Sequence, residues 1–199
     1  MQNKPIEQGQ FGLGEIPPDA INELHLARRT SDLPNVLTEL NALVRLGIIG
    51  DYAIGGGYAV IYYNLPYGTY DLDVLVILGS EADFRALYKH FKEKGNKIKD
   101  VYIYIDDMPV QFFPTYISPL FNSAAREAHK IKIEGIPSKV ITVEYLIALL
   151  LNAFRPKDKI RIAELLEKTD KKLLDEILGR FDDEKGILHK RFKEVLASS

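Results

Sequence analysis

The chain of 199 residues carries 26 Lys and Arg against 28 Asp and Glu, a formal net charge of -2, so no global basic field exists to hold a long nucleic acid by charge alone. Its hydrophobic content of 46% is enough to build the core of one ordinary domain. Without cysteine there are no disulfides, thiolate metal sites or cysteine nucleophiles, a composition that fits an intracellular protein.

From Met1 to Glu15 the chain is polar and glycine-containing and lacks the basic start and apolar stretch of a secretory signal. A flexible leader over residues 1–18 and a cytoplasmic location are the expectations. Pro17-Pro18-Asp19 can start a helix with Ala20, Ile21, Leu24 and Ala27 on one face, and a second helix is expected from about Leu33 to Leu46, closed by Gly47.

Tyr52 to Gly55 reads as a short strand running into the turn Gly55-Gly56-Gly57, followed by a helical turn or two over Tyr58 to Tyr63 and a loop over Asn64-Leu65-Pro66-Tyr67-Gly68. Leu72 to Leu78 is a continuous apolar, β-branched-rich run, the pattern of a strand covered on both faces. Ser80 with Asp83 forms a capping-box signature, and Phe84, Leu87, Tyr88 and Phe91 repeat at helical spacing until Gly95.

Val101 to Ile105 and Val110 to Phe113, on either side of Asp106-Asp107-Met108-Pro109, predict a hairpin. Ile131 to Ile133 and Ile136 to Ile141, around Glu134-Gly135, predict another. Beyond Thr142 the pattern is helical: Val143 to Phe154, Lys157 to Lys168, Lys171 to Leu178 and Glu184 to Leu196. The organisation expected is a core over residues 19–142 and a helical C-terminal part over 143–199 packed on it. The longest apolar run, Leu146 to Leu151, is far shorter than the roughly 20 residues that span a bilayer, so no membrane association is expected.

The chemistry concentrates in Gly55-Gly56-Gly57 and, after a loop, Thr69-Tyr70-Asp71-Leu72-Asp73. Residues two apart on a strand share a face, so Asp71 and Asp73 put two carboxylates side by side. Such a pair can share a hard cation together with phosphate oxygens, which removes the repulsion between them. The glycines let backbone N–H groups approach an anion without obstruction. Taken singly, a glycine turn is common in loops and an Asp-x-Asp at a strand edge is more often solvated charge; their conjunction, followed by an apolar strand, is specific.

This combination resembles the polymerase-β-like nucleotidyltransferase superfamily, in particular its minimal and abortive-infection or toxin–antitoxin members, which carry a Gly-Gly or Gly-Ser turn, a helix and an Asp-x-Asp strand. Thr69 resembles the threonine that often precedes that motif. Val143 to Leu149 with Arg155-Pro156-Lys157-Asp158 resembles the helix and Lys-Asp turn downstream. The resemblance covers about Leu37 to Glu167.

It implies an α/β (α+β) fold, a nucleotidyltransferase-type mixed sheet with flanking helices. It also implies metal-dependent transfer of a nucleotidyl group from a nucleoside triphosphate such as ATP to a hydroxyl on a protein or RNA. Asp71 and Asp73 would hold Mg²⁺ or Mn²⁺, and Gly56, Gly57, Thr69, Lys157 and Asp158 would meet the nucleotide. The third carboxylate usual in the family is replaced, in the hairpin strand, by Gln111, and Tyr67 stands where related proteins often have an arginine. A neutral amide cannot act as a general base, so the second reading is a catalytically degenerate binding protein, antitoxin-like or regulatory. A third is that the Asp-x-Asp is structural and another surface does the work.

Blander readings stand beside several of these residues. Lys157-Asp158 after proline is also an ordinary helix start. The scattered His25, His90, His129 and His189 lack metal-ligand spacing. Tyr102, Tyr104, Phe112 and Phe113 read as strand packing ahead of base stacking. The charges from Lys159 and Arg161 to Asp175 are interleaved in sign, as on a solvent-facing helix.

Overall fold

The computed structural model describes residues 18–63, 65 and 67–198, with side chains in the first helix from Asp32 onward. The expected leader therefore lies outside the described residues, apart from Pro18. So do the side chains of Ala20, Ile21, Leu24 and Ala27 and part of the loop at Asn64 and Pro66.

Among the described residues the chain forms a seven-stranded mixed sheet in the order β3-β4-β5-β2-β1-β7-β6. In chain order the elements are α1 (Pro18–Arg45), β1 (Asp51–Ile54), α2 (Gly56–Tyr62), β2 (Leu72–Ile77), α3 (Glu81–Glu93), β3 (Ile98–Lys99), β4 (Tyr102–Ile105) and β5 (Met108–Pro114). There follow α4 (Pro119–Arg126), β6 (His129–Ile133), β7 (Ile136–Val140), α5 (Val143–Ala153), α6 (Pro156–Leu165), α7 (Lys171–Phe181) and α8 (Ile187–Ser198).

The central strand β2 lies between antiparallel β1 and parallel β5. Its two faces meet different partners. Leu72, Val74 and Val76 pack with Leu37, Leu40 and Leu43 of α1 and Leu87 and Phe91 of α3, whereas Leu75 packs among residues of α4, α5 and α6. Burial on both sides is why the strand reads as an unbroken apolar run.

Local signals place most elements. Ser80 caps α3, its Oγ accepting from the Asp83 N–H at 3.3 Å and donating to Asp83 Oδ2 at 2.9 Å. Thr142 caps α5 by accepting from the Tyr145 N–H. Both hairpins turn through residues with positive φ, Asp106 in one and Glu134-Gly135 in the other, the backbone that matches the twist of the flanking strands.

Some elements depart from expectation. The two helices expected before β1 are one, α1, with Pro34 inside it; burial of Leu33, Val36, Leu37, Leu40 and Leu43 holds the helix through the proline. Helix α2 begins at Gly56, so the glycines are its first turn instead of a loop before it. Helix α4, opened by Ser118 and Pro119, and the two-residue β3 have no counterpart in the sequence reading.

The C-terminal helices are continuous with the core under the sheet. Tyr145, Leu146, Ile147 and Leu151 of α5 share one buried cluster with Ala53 of β1, Ala59 of α2 and Leu75 of β2. No helix among the described residues is long and apolar enough to cross a membrane.

Candidate active site

Asp71, Asp73 and Leu75 alternate with Leu72, Val74 and Val76, which turns both carboxylates toward the side of the sheet covered by α5 and α6. There they line a cleft of about 450 Å³ with Gly56, Gly57, Thr69, Tyr102, Gln111, Arg155, Lys157 and Arg161. Its apolar wall comes from Phe113, Phe121, Leu146, Leu149 and Leu150.

Asp71 is held from two sides. Thr69 Oγ1 lies 3.2 Å from Asp71 Oδ1, and the Tyr102 hydroxyl donates to Oδ2 at 3.1 Å. Burial, and then the negative charge of Asp71, push the Tyr102 phenol up from its ordinary value.

Asp73 stands deeper. Burial, and then the charge of Asp71, push its carboxyl up to about 6, against the opposing pull of Arg155, the Gly57 N–H and Lys157. Burial and the neighbouring Asp71 thus make the ionised form of Asp73 unfavourable, a cost that a cation bound between the two carboxylates would relieve.

The glycine turn is required by close approach. Gly56 has φ 52°, and a Cβ there would sit 1.6 Å from Asp73 Oδ2. At Gly57 a Cβ would lie 2.4 Å from Thr69 Oγ1. The turn is locked to the strand by the Gly55 N–H donating to Asp73 O at 2.9 Å.

Gln111 sits opposite Asp73 in the parallel β2–β5 register, where a third acidic side chain would face the pair. Among the described residues no group of three or more His, Cys, Asp or Glu side chains is arranged to hold a metal. Asp71 and Asp73 are the cleft side chains that could ligate a hard cation, whose remaining ligands would have to come from water or substrate oxygens.

Of the residues singled out in the sequence, Gly56, Gly57, Thr69, Asp71, Asp73, Gln111 and Lys157 all meet at the cleft. Asp158 does not. Its side chain is fully buried, accepting from the Arg155 backbone N–H at 2.9 Å, from Arg155 Nε at 2.8 Å and from Nη2 at 3.2 Å. It anchors Arg155 at the N-terminus of α6, and Arg155 is the residue that reaches the cleft. Tyr67 points to α6, donating to Glu164 Oε2 at 2.7 Å.

Two cleft residues were read otherwise from the sequence, Tyr102 as strand packing and Arg161 as one charge of a solvent-facing helix, whereas both line the cleft and Arg161 is buried. Tyr102 was open to discovery from the β4–β5 hairpin register, which sets it opposite Gln111. Arg161 carried a fainter signal: Asp158, Arg161, Ile162 and Leu165 form the buried stripe of α6 at i, i+3, i+4 and i+7, so two charged residues occupy an inward helical face.

No protein-family model matches the chain, and no curated protein matches it by sequence. Solved structures do match. An antigenic nucleotidyltransferase-like protein from Paracoccidioides brasiliensis is similar over 84% of this chain and 94% of its own, with TM-score 0.54 and 13% identity. ANT(2″)-Ia, solved in complex with adenylyl-2″-tobramycin, is similar over 73% of this chain and 94% of its own, with TM-score 0.52 and 15% identity. The chain has a polymerase-β-like nucleotidyltransferase fold.

Proposed function

We propose that this nucleotidyltransferase-type fold carries a metal-dependent nucleotidyltransferase, moving a nucleotidyl group from a nucleoside triphosphate such as ATP to a hydroxyl of a protein or RNA. The observation that supports this reading best is the convergence of Asp71 and Asp73 at one cleft beside Gly56 and Gly57. The resemblance to toxin–antitoxin components suggests the same setting, in the cytoplasm.

Mg²⁺ or Mn²⁺, held by Asp71 and Asp73, would neutralise charge on the triphosphate and on the departing pyrophosphate. The protein contributes position. Thr69 and Tyr102 orient the Asp71 carboxylate, and the glycines, having no side chain, let Asp73 and Thr69 pack directly against the start of α2. Arg155 and Lys157 bring positive charge toward Asp73. The acceptor oxygen attacks the α-phosphorus as its hydroxyl proton passes to water, the bond from the α-phosphorus to the bridging oxygen breaks, and pyrophosphate leaves; holding these groups in line supplies much of the rate.

Calorimetry tests the binding half of this reading. Mg²⁺-dependent triphosphate binding is expected in the parent and not in Asp71→Ala/Asp73→Ala, and a parent that binds no triphosphate defeats the proposal.

Gln111 beside Asp73 favours a second reading, a protein that binds nucleotide without turning it over and serves as an antitoxin-like or regulatory partner. Gln111→Asp separates the two. A gain of transfer activity supports the binding-protein reading, whereas robust transfer by the parent ends it.

A further inference from the structure

The cations of the cleft are not equivalent. Arg155 is clamped by Asp158, and Lys157 acts on Asp73. Arg161 is 8% exposed, and its Nε has no hydrogen-bond partner. Its guanidinium lies 5.2 Å from the centre of the Tyr67 ring, and no ion pair among the described residues neutralises it. A buried guanidinium without a counter-ion is strongly unfavourable. Such a charge belongs with an anion supplied from outside the chain.

The surroundings indicate which anion. The Tyr67 hydroxyl is tied to Glu164, one turn beyond Arg161 on the same helix, so the guanidinium is fixed against the loop between α2 and β2. Two residues further along that loop stands Thr69, which touches both the glycine turn and Asp71. Arg161 is thereby anchored to the loop whose Thr69 touches the glycine turn and Asp71.

We infer that Arg161 binds the terminal phosphates of the nucleoside triphosphate, making it the residue by which the cleft tells a triphosphate from a monophosphate. This rests on the proposed nucleotidyl transfer. Stacking on Tyr67 holds the planar guanidinium for paired contacts with phosphate oxygens, a geometry a lysine does not reproduce.

The test is calorimetry with Mg²⁺ and either a non-hydrolysable nucleoside triphosphate or the matching monophosphate, on the parent and Arg161→Met, with circular dichroism as the check on folding. Loss of one charged contact is expected to weaken triphosphate binding roughly tenfold or more and to leave monophosphate binding nearly unchanged, with Arg161→Lys falling between. Unchanged triphosphate affinity in Arg161→Met overturns the inference, as does equal loss for both nucleotides or an effect confined to the acceptor. Should Arg161→Met not fold, Tyr67→Leu, which removes the ring under the guanidinium, carries the same expectation, and an unaltered affinity there is equally fatal. A parent that binds no triphosphate instead removes the functional reading beneath.

Discussion

Asp73 shows how a side chain is set against folding for the sake of a site. Its carboxyl is pushed up to about 6 by burial and by Asp71, so the folded state prefers it neutral. A raised carboxyl contributes stability that is present below the ordinary carboxylate range and lost as the pH climbs through about 6. Above that, in the absence of metal, the ionised group costs at most about 2–3 kcal/mol. Asp73→Asn should therefore melt above the metal-free parent at pH 7.5, with the difference vanishing near pH 4, while losing metal-dependent triphosphate binding. Thermal melts at the two pH values decide it, and an Asn variant that melts no higher at pH 7.5 contradicts the assignment. The shared face of Asp71 and Asp73 was legible from the two-residue strand period. The burial that raises Asp73 was not, because it depends on how separate segments pack around the carboxylate, the glycine start of α2 pressed against it among them.

At the scale of elements, α6 is the lever that brings cations to the cleft. Asp158 sits at its third position and bonds both backbone and side chain of Arg155, satisfying one of the N–H groups that a helix start leaves open. Asp158→Ala should lower stability by about 2 kcal/mol, the upper range for losing a cap. It should also weaken triphosphate binding although the aspartate lines no part of the cleft, because Arg155 loses its anchor. Denaturant titration with parallel calorimetry measures both, and an unimpaired affinity would show that Arg155 needs no such hold. Elements with strong local signals, such as the Ser80 cap of α3 and the two hairpins, were readable in the sequence. Helix α4 spans eight residues, too few for a periodic pattern to stand out, and α1 continues through Pro34 because its buried leucines outweigh a local breaker.

For the molecule as a whole, the sheet and the C-terminal helices share one of the two buried clusters, with α5 at its centre. A chain ending at residue 142 would strip α5 to α8 from Ala53, Ala59 and Leu75 and leave that face of the sheet only α2 and α4 as cover. Such a fragment should show no cooperative thermal transition by circular dichroism; a sharp, reversible melt would mean that the sheet folds without its helical cover. The sequence alone determined most of the order of strands and helices, apart from α4, β3 and the unbroken α1, together with the pairing of Asp71 with Asp73, because strand alternation, caps and turns depend on neighbours within a few residues. Tertiary structure decided that Tyr102, Arg155 and Arg161 join them and that Asp158 turns away from the cleft, because these placements follow from strand register and helix packing between segments far apart in the chain, which no local pattern records.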